Sequence, residues 1–173
     1  MPRHTISVTV ENEFGVLARV AGLFSSRGFN IESLTVNEDP LDPTLSRIVL
    51  VSSGDEQILE QINKQLNKLV TVIKVTDYHD VDTVDRELAM VRIAVDERTR
   101  SELDSIVAAF RAHVVDIGPR SVTVEITGHS EKLRAFIALV RPLGIKEIVR
   151  SGTIAMARSV QLDGDHRQPK ENA

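Results

Sequence analysis

The chain has 173 residues, 42% of them hydrophobic and 27% charged, with a formal net charge of −4 and an isoelectric point near 5.7. It contains no cysteine, which removes thiolate metal sites, cysteine nucleophiles and disulfides, and suits a reducing compartment. Interspersed charge with no basic block excludes an electrostatic footprint for nucleic acid or an anionic membrane, and aromatics at 3% with no tryptophan leave few platforms on which bases could stack.

The opening "MPRHTISV" lacks the apolar core of a signal peptide. No stretch reaches the ~20 apolar residues that span a bilayer, so a cytoplasmic protein without a membrane partner is expected. "TISVTV" predicts a strand with Ile6, Val8 and Val10 on one face. Thr5, Ser7 and Thr9 form the other face, which is expected to be partly wet. A helix follows, with Leu17, Val20, Ala21 and Phe24 at helical spacing and Gly28 placed to end it. The next strand is "FNIESLTV". Its Ile31 and Leu34 are three apart, so the apolar phase slips at Glu32–Ser33, as it does at a bulge. Then come the strand "SRIVLV", the helix "DEQILEQINKQLNKLV" and the strand "VTVIKV". That helix carries Leu59, Ile62, Leu66 and Leu69 on one stripe, with Asp55 and Glu56 at the positive end of its dipole.

The acidic, polar "YHDVDTVDRE" reads as a linker. Beyond it lie the strand "LAMVRIAV", a helix on Leu103, Ile106, Val107 and Phe110, and the strands "HVVDI" and "SVTVEI". A last helix on Leu133, Phe136, Ile137 and Val140, stopped by Pro142 and Gly144, precedes the strand "IKEIV". The tail "DGDHRQPKENA" has no apolar period and is expected to be disordered.

The order is β-α-β-β-α-β, met once in 5–78 and again in 87–149, which is the split βαβ or ferredoxin-like unit. The fold class is therefore α+β: two tandem ferredoxin-like βαββαβ domains. Their expected limits are 1–79 and 87–160, with a linker at 80–86 and a tail at 161–173. The usual strand order leaves the second and fourth strands at the edges, and an unpaired edge invites another strand. A homodimer paired through the first domain is expected.

The chain carries no nucleophile elbow, phosphate loop, dinucleotide-binding glycines or HExxH pattern. Its histidines, His4, His79, His113, His129 and His166, are scattered and form no ligand pair in sequence. "NEDPLDPT", with Glu38, Asp39 and Asp42, reads as a rigid hairpin loop that a hard cation would occupy only adventitiously. Asp80, Asp82 and Asp85 lack the glycine and distal glutamate of an EF-hand loop. An RNA-recognition domain of this topology reads bases with aromatics on its central strands. Here those strands, "TISVTV" and "SRIVLV", have none.

What remains is the turn "VENEFGVL", residues 10–17. A glycine lets a ligand approach the backbone, and the first N–H groups of a helix attract an anion. A carboxylate fits better than a phosphate, because Glu11 and Glu13 flank the turn and no arginine or lysine joins them. The same residues also fit a plain cap, with Asn12 or Glu13 closing the helix and Gly15 shaping the turn. Both readings stand on the residues alone.

"TISVTVENEFGVLARVAGLFSSRGFNIESLTV", "DPTLSRIVLV" and "ARSV" beyond "VRSG" resemble the small regulatory subunits of acetohydroxyacid synthase (acetolactate synthase). The likeness runs from about residue 4 to 158, and "FGVLARVAGLFSSRGFNIESL" is its most specific part. The resemblance implies an ACT domain in the first half and a related domain particular to the family in the second. It implies a non-catalytic subunit that binds and activates a large catalytic subunit and confers feedback inhibition by valine or a related branched-chain amino acid. Thiamine diphosphate, FAD and Mg2+ would belong to that partner, which condenses pyruvate with pyruvate or 2-ketobutyrate, and no cofactor to this chain.

The resemblance also places the effector between two ACT domains. Asn12, Glu13, Phe14, Gly15, Val16 and Leu17 would come from one copy, Asn30 and Ile31 from the other. The second half departs at the equivalent turn, "VDERTRSEL", which has Asp96, Glu97 and Arg98 but no glycine, so no amino-acid site is expected there. A stand-alone ACT-type sensor controlling a different partner is the alternative.

Overall fold

The computed structural model describes residues 3–159 and the backbone of Glu171–Asn172. The first βαββαβ set is β1 (Arg3–Glu11), α1 (Val16–Ser26), β2 (Ile31–Glu38), β3 (Leu45–Ser53), α2 (Glu56–Leu66) and β4 (Val72–Asp77). The second is β5 (Thr83–Ala94), α3 (Arg100–Ala109), β6 (His113–Gly118), β7 (Ser121–Gly128), α4 (Ser130–Gly144) and β8 (Ile145–Arg150). Two short strands follow, β9 (Ile154–Ala157) and β10 (Glu171–Asn172). The eight strands and four helices expected from periodicity are all present, in antiparallel sheets ordered β10-β4-β1-β3-β2 and β6-β7-β5-β8. The chain forms two compact units: Met1–Val84 with Thr153–Ala173, and Asp85–Gly152.

In the first unit, alternation sends Ile6, Val8 and Val10 of β1 and Ile48 and Leu50 of β3 toward the helices. They meet Val16, Val20 and Phe24 of α1 and Leu59, Ile62 and Leu66 of α2. The buried stripe of α1 is thus Val16–Val20–Phe24, not the stripe begun at Leu17 in the sequence reading. Three residues spaced by four share one side, and Leu17, about 100° around the helix, is left 43% exposed.

Helix α1 ends in a Schellman motif. Gly28 adopts φ +70, its N–H donates to Ser25 O at 3.3 Å, and the Phe29 N–H donates to Phe24 O at 3.0 Å. The rings of Phe24 and Phe29 meet edge to face at 6.0 Å, which supplies the apolar contact of that motif. Asp55 caps α2 by accepting from the Ile58 N–H at 2.9 Å. The phase slip in β2 is a bulge: Ile31 faces Ser52 and Ser33 faces Val51, so Glu32 is the extra residue.

The second face of this sheet departs from expectation. Ser7, Val49 and Val51 point away from the helices yet are at most 5% exposed. Thr153, also buried, donates its N–H to Ser33 Oγ on that face at 2.9 Å. Just beyond it, the Arg158 N–H bonds Asp82 O at 2.8 Å. Residues 153–159, which follow the second unit's β8 in the chain, are grouped with the first unit by compactness. They present Thr153, Ala155 and Ala157 inward, while Ile154 and Met156 stay exposed. No apolar period longer than this four-residue strand marks the segment in the sequence. The chain also enters β5 at Thr83, inside the expected linker.

The second unit repeats the layering with Ala89, Val91, Ile93, Val122, Val124 and Ile126 from the sheet against Leu103, Leu133, Phe136 and Val140 from its helices. Pro142 does not stop α4. It lies in the last turn, and the helix continues to Gly144. Glu87 is buried and ion-paired to Arg150, as a buried carboxylate requires. The tail expected to be disordered lies outside the described residues, apart from Glu171–Asn172, whose backbone pairs with Thr76 and Val75 of β4.

Phe24 unites the core of the first unit with the end of α1. Phe24→Ala is expected to lower the unfolding free energy by about 3–5 kcal/mol, read as an earlier urea midpoint; an unchanged midpoint would refute this role.

Candidate functional site

The turn between β1 and α1 is held from both sides. Glu11 N–H donates to Thr71 O at 2.9 Å and Asn12 N–H to Thr44 O at 2.7 Å. The Asn12 side chain donates to Pro43 O at 3.0 Å and to Glu38 Oε2 at 3.3 Å. Asn12 is therefore committed to the loop between β2 and β3 and does not cap the helix. Glu13 does not cap it either: the N-cap is Gly15, at φ +83, and no side chain bonds the helix start.

The capping alternative thus fails in its side-chain form. Gly15 is required by conformation, since a Cβ there would meet nothing within 4 Å but the left-handed backbone would be strained. The Val16 N–H reaches Glu13 O at 3.4 Å, whereas the N–H groups of Gly15, Leu17 and Ala18 find no acceptor among the described residues. Phe14 is fully exposed beside them, Leu17 is half-exposed, and the Val16 side chain is in the core, leaving only its backbone at the turn.

The equivalent turn of the second unit is chemically different. Asp96 Oδ1 accepts from the N–H groups of Arg98 and Thr99 at 2.9 and 2.8 Å and from Thr99 Oγ1 at 2.9 Å. Thr99 Oγ1 accepts in turn from the Asp96 N–H at 3.0 Å. These bonds, led by the Thr99 N–H, hold the Asp96 carboxyl below the usual carboxylate range. This turn carries its own carboxylate on the N–H groups just before α3, although the start of α3, like that of α1, has no side-chain cap.

Asn30 and Ile31 stand at the other end of α1. Asn30 is exposed, and its carbonyl accepts from Ser52 Oγ at 2.7 Å, which fixes the backbone at the entrance to β2. Ile31 packs partly on the core. The 11 residues of α1 separate this pair from the turn by about 16 Å. One chain therefore does not bring the eight expected residues together. It places Asn12 to Leu17 and Asn30 with Ile31 at opposite ends of α1.

The loop "NEDPLDPT" turns its carboxylates on itself. Asp39 Oδ1 accepts from the Leu41 N–H at 2.9 Å. Asp42 Oδ1 accepts from the Thr44 N–H at 2.9 Å and from Thr44 Oγ1 at 2.6 Å. The Thr44 hydroxyl, then its N–H, hold the Asp42 carboxyl below the usual range. Two histidines distant in sequence meet in space: the rings of His4 and His79 lie edge to face at 4.9 Å. Sequence spacing had no means of showing that pair, which depends on β1 and the chain after β4 running side by side. Among the described residues no three His, Asp or Glu side chains gather as a metal-ligand group, and no helix is long and apolar enough to cross a membrane.

Residues 6–74 match the family model described as the AHAS small subunit-like ACT domain, and residues 86–159 that of the small subunit of acetolactate synthase. A Methanothermobacter thermautotrophicus protein named a probable acetolactate synthase small subunit is 51% identical over 156 residues, covering 90% of this chain and 92% of that one. The acetolactate synthase small subunit of Mycobacterium bovis is 48% identical, covering 90% and 92%. The crystal structure of the acetolactate synthase small subunit from Thermotoga maritima superposes with a TM-score of 0.84 at 40% identity, over 91% of this chain and 98% of that one.

Asp42 and Asp96 are more acidic folded than unfolded, so their contribution is complete above the unfolded value and is lost as pH falls through the folded one. Amide protection at Thr44 and Thr99 is expected to hold from neutral pH down to the ordinary carboxylate range and to decay below it. Loss of protection already near neutrality, or none in acid, would show that these carboxylates do not close the turns.

Proposed function

The chain belongs to the acetolactate synthase small-subunit family, and we propose that it binds and activates the large catalytic subunit in the cytoplasm and confers feedback inhibition by valine or a related branched-chain amino acid. The observation that carries the effector site is the contrast between the two turns. One holds a carboxylate of its own, from Asp96, and the other keeps the N–H groups of Gly15, Leu17 and Ala18 open. An amino-acid carboxylate on those groups, at a helix N-terminus, gains about 0.3–1 kcal/mol from the dipole, and more when partly buried.

The remaining chemistry of a zwitterion needs an acceptor and an apolar wall. Asn30 offers an amide that both accepts and donates, and Ile31 and Leu17 offer branched apolar surface. Since α1 holds Asn30 and Ile31 about 16 Å from the turn and Leu17 in one chain, the site is complete only when a second copy lies against β2. That strand is at the sheet edge, with Val36 and Asn37 exposed, and pairing there would also satisfy its outer backbone groups. In this division of labour, 1–79 is the effector domain and 80–86 the linker. Residues 87–160 form a second domain without an effector site, and 161–173 form a tail. Thiamine diphosphate, FAD and Mg2+ would be held by the large subunit.

Control then follows by linkage. An effector bound across two copies favours the dimer arrangement it binds better, and activation of the large subunit shifts with that population. Reciprocally, the large subunit must change effector affinity by the same factor.

Mixing the purified chain with the large subunit of the same organism is expected to raise acetolactate formation and make it valine-sensitive; neither effect appearing would refute the proposal. Asn30→Leu is expected to weaken valine binding by about 1–3 kcal/mol in calorimetry, because polar groups of the ligand lose their partner. Gly15→Asp should weaken it further, since its carboxylate would lie at the open N–H groups. Unchanged affinity in folded variants would remove these residues from the site.

A further inference from the structure

Among the described residues of the first unit, Phe14, Leu41 and Val70 are the most exposed large apolar side chains, at 102, 94 and 94%. They lie on three loops at one end of the sheet: the β1–α1 turn, the β2–β3 loop and the α2–β4 loop. Those loops are joined through two residues. Asn12 bonds Thr44 and Pro43, and the Glu11 N–H bonds Thr71, next to Val70.

Leu41 is not loosely exposed. Its own N–H is held by Asp39, Asp39 N–H donates to Leu45 O at 2.9 Å, Leu45 N–H donates to Asp42 O at 3.0 Å, and Pro40 and Pro43 flank it. A rigid loop that presents one large apolar side chain to water has already lost the entropy that binding would otherwise cost. Such anchors dominate protein–protein interfaces.

The three loops carry Glu13, Asp39 and Asp42 against Lys68, the strand ends that enter them add Glu11 and Glu38, and Arg47 of β3 approaches Asp39 at 3.7 Å. Their occupant must therefore offer apolar pockets ringed by arginine or lysine. A second copy of this acidic end would face it with like charge.

We propose that this three-loop end of the first unit is the docking surface for the large catalytic subunit, with Leu41 and Val70 as its anchors and a basic rim on the partner. The assignment rests on the regulatory-subunit reading above. It adds a route from effector to partner: Asn12, in the effector turn, donates directly to Pro43 and Glu38 of the loop that presents Leu41. A ligand that moves the turn moves the anchor loop through those bonds. Strand pairing along β2 would use the outer edge of that strand and leave the loops at its end free.

The test titrates the full chain and its Leu41→Asp, Leu41→Ala and Val70→Asp variants into the purified large subunit of the same organism. Acetolactate formation reads activation, and surface-immobilised large subunit reads binding. Valine calorimetry and sedimentation equilibrium are run on each chain alone. Both aspartate variants are expected to raise the half-activating concentration roughly tenfold or more, and Leu41→Ala less, as for interface anchors. Valine affinity and oligomeric state should match the parent, and salt at about 0.5 M should weaken the parent's binding by screening the rim. Variants that bind and activate like an active parent would overturn the docking assignment alone. Variants that alter the oligomeric state would overturn it in favour of a copy-to-copy interface. A parent that neither binds nor activates would overturn the regulatory reading and this assignment with it.

Discussion

The pairing of β1 with β3 governs the first unit. Its register runs unbroken from Arg3 opposite Ser53 to Glu11 opposite Leu45. Because side chains alternate, a slip of one residue would turn Ile6, Val8 and Val10 out of the core. The same register ends with Asn12 beside Thr44, so the turn that follows β1 is sewn to the loop that precedes β3. The strand pair that builds the core thus also sets the position of the helix start, the anchor loop and the edge strand β2.

The two units solve one local problem in two ways. A chain leaving a strand for a helix exposes N–H groups that the helix cannot satisfy internally. In the second unit, Asp96 and Thr99 close the turn from within the chain. In the first, Asn12 is drawn away by Pro43 and Glu38, and Gly15 turns the backbone through a left-handed conformation that brings no side chain to the donors. Repetition of the fold therefore does not carry repetition of the turn. The difference lies in one carboxylate, Asp96, which in the second unit bonds the N–H groups just before the helix.

Covering the sheet's second face is the other constraint. Two helices protect one side only, and the first unit closes part of the other with chain that returns after β8. Thr153, Ala155 and Ala157 are small enough to lie close on that face, on which Ser7 is also buried. This use of a distant segment shows why the unit's boundary in space differs from the one suggested by composition.

The sequence by itself determined the element order, both βαββαβ units and most of each core, because strand and helix periods of 2 and 3.6 residues register directly in the placement of apolar residues. It also determined the Schellman ending at Gly28, the bulge at Glu32 and the interest of the turn at Gly15, since each depends on residues a few positions apart. Tertiary structure alone decided that Val16 and not Leu17 enters the core, that Ser7 is buried, that His4 meets His79 and that Asn12 belongs to a loop 31 residues away. Those outcomes depend on which surfaces the packed elements bring together, and no period along the chain records a contact between segments that lie far apart in it.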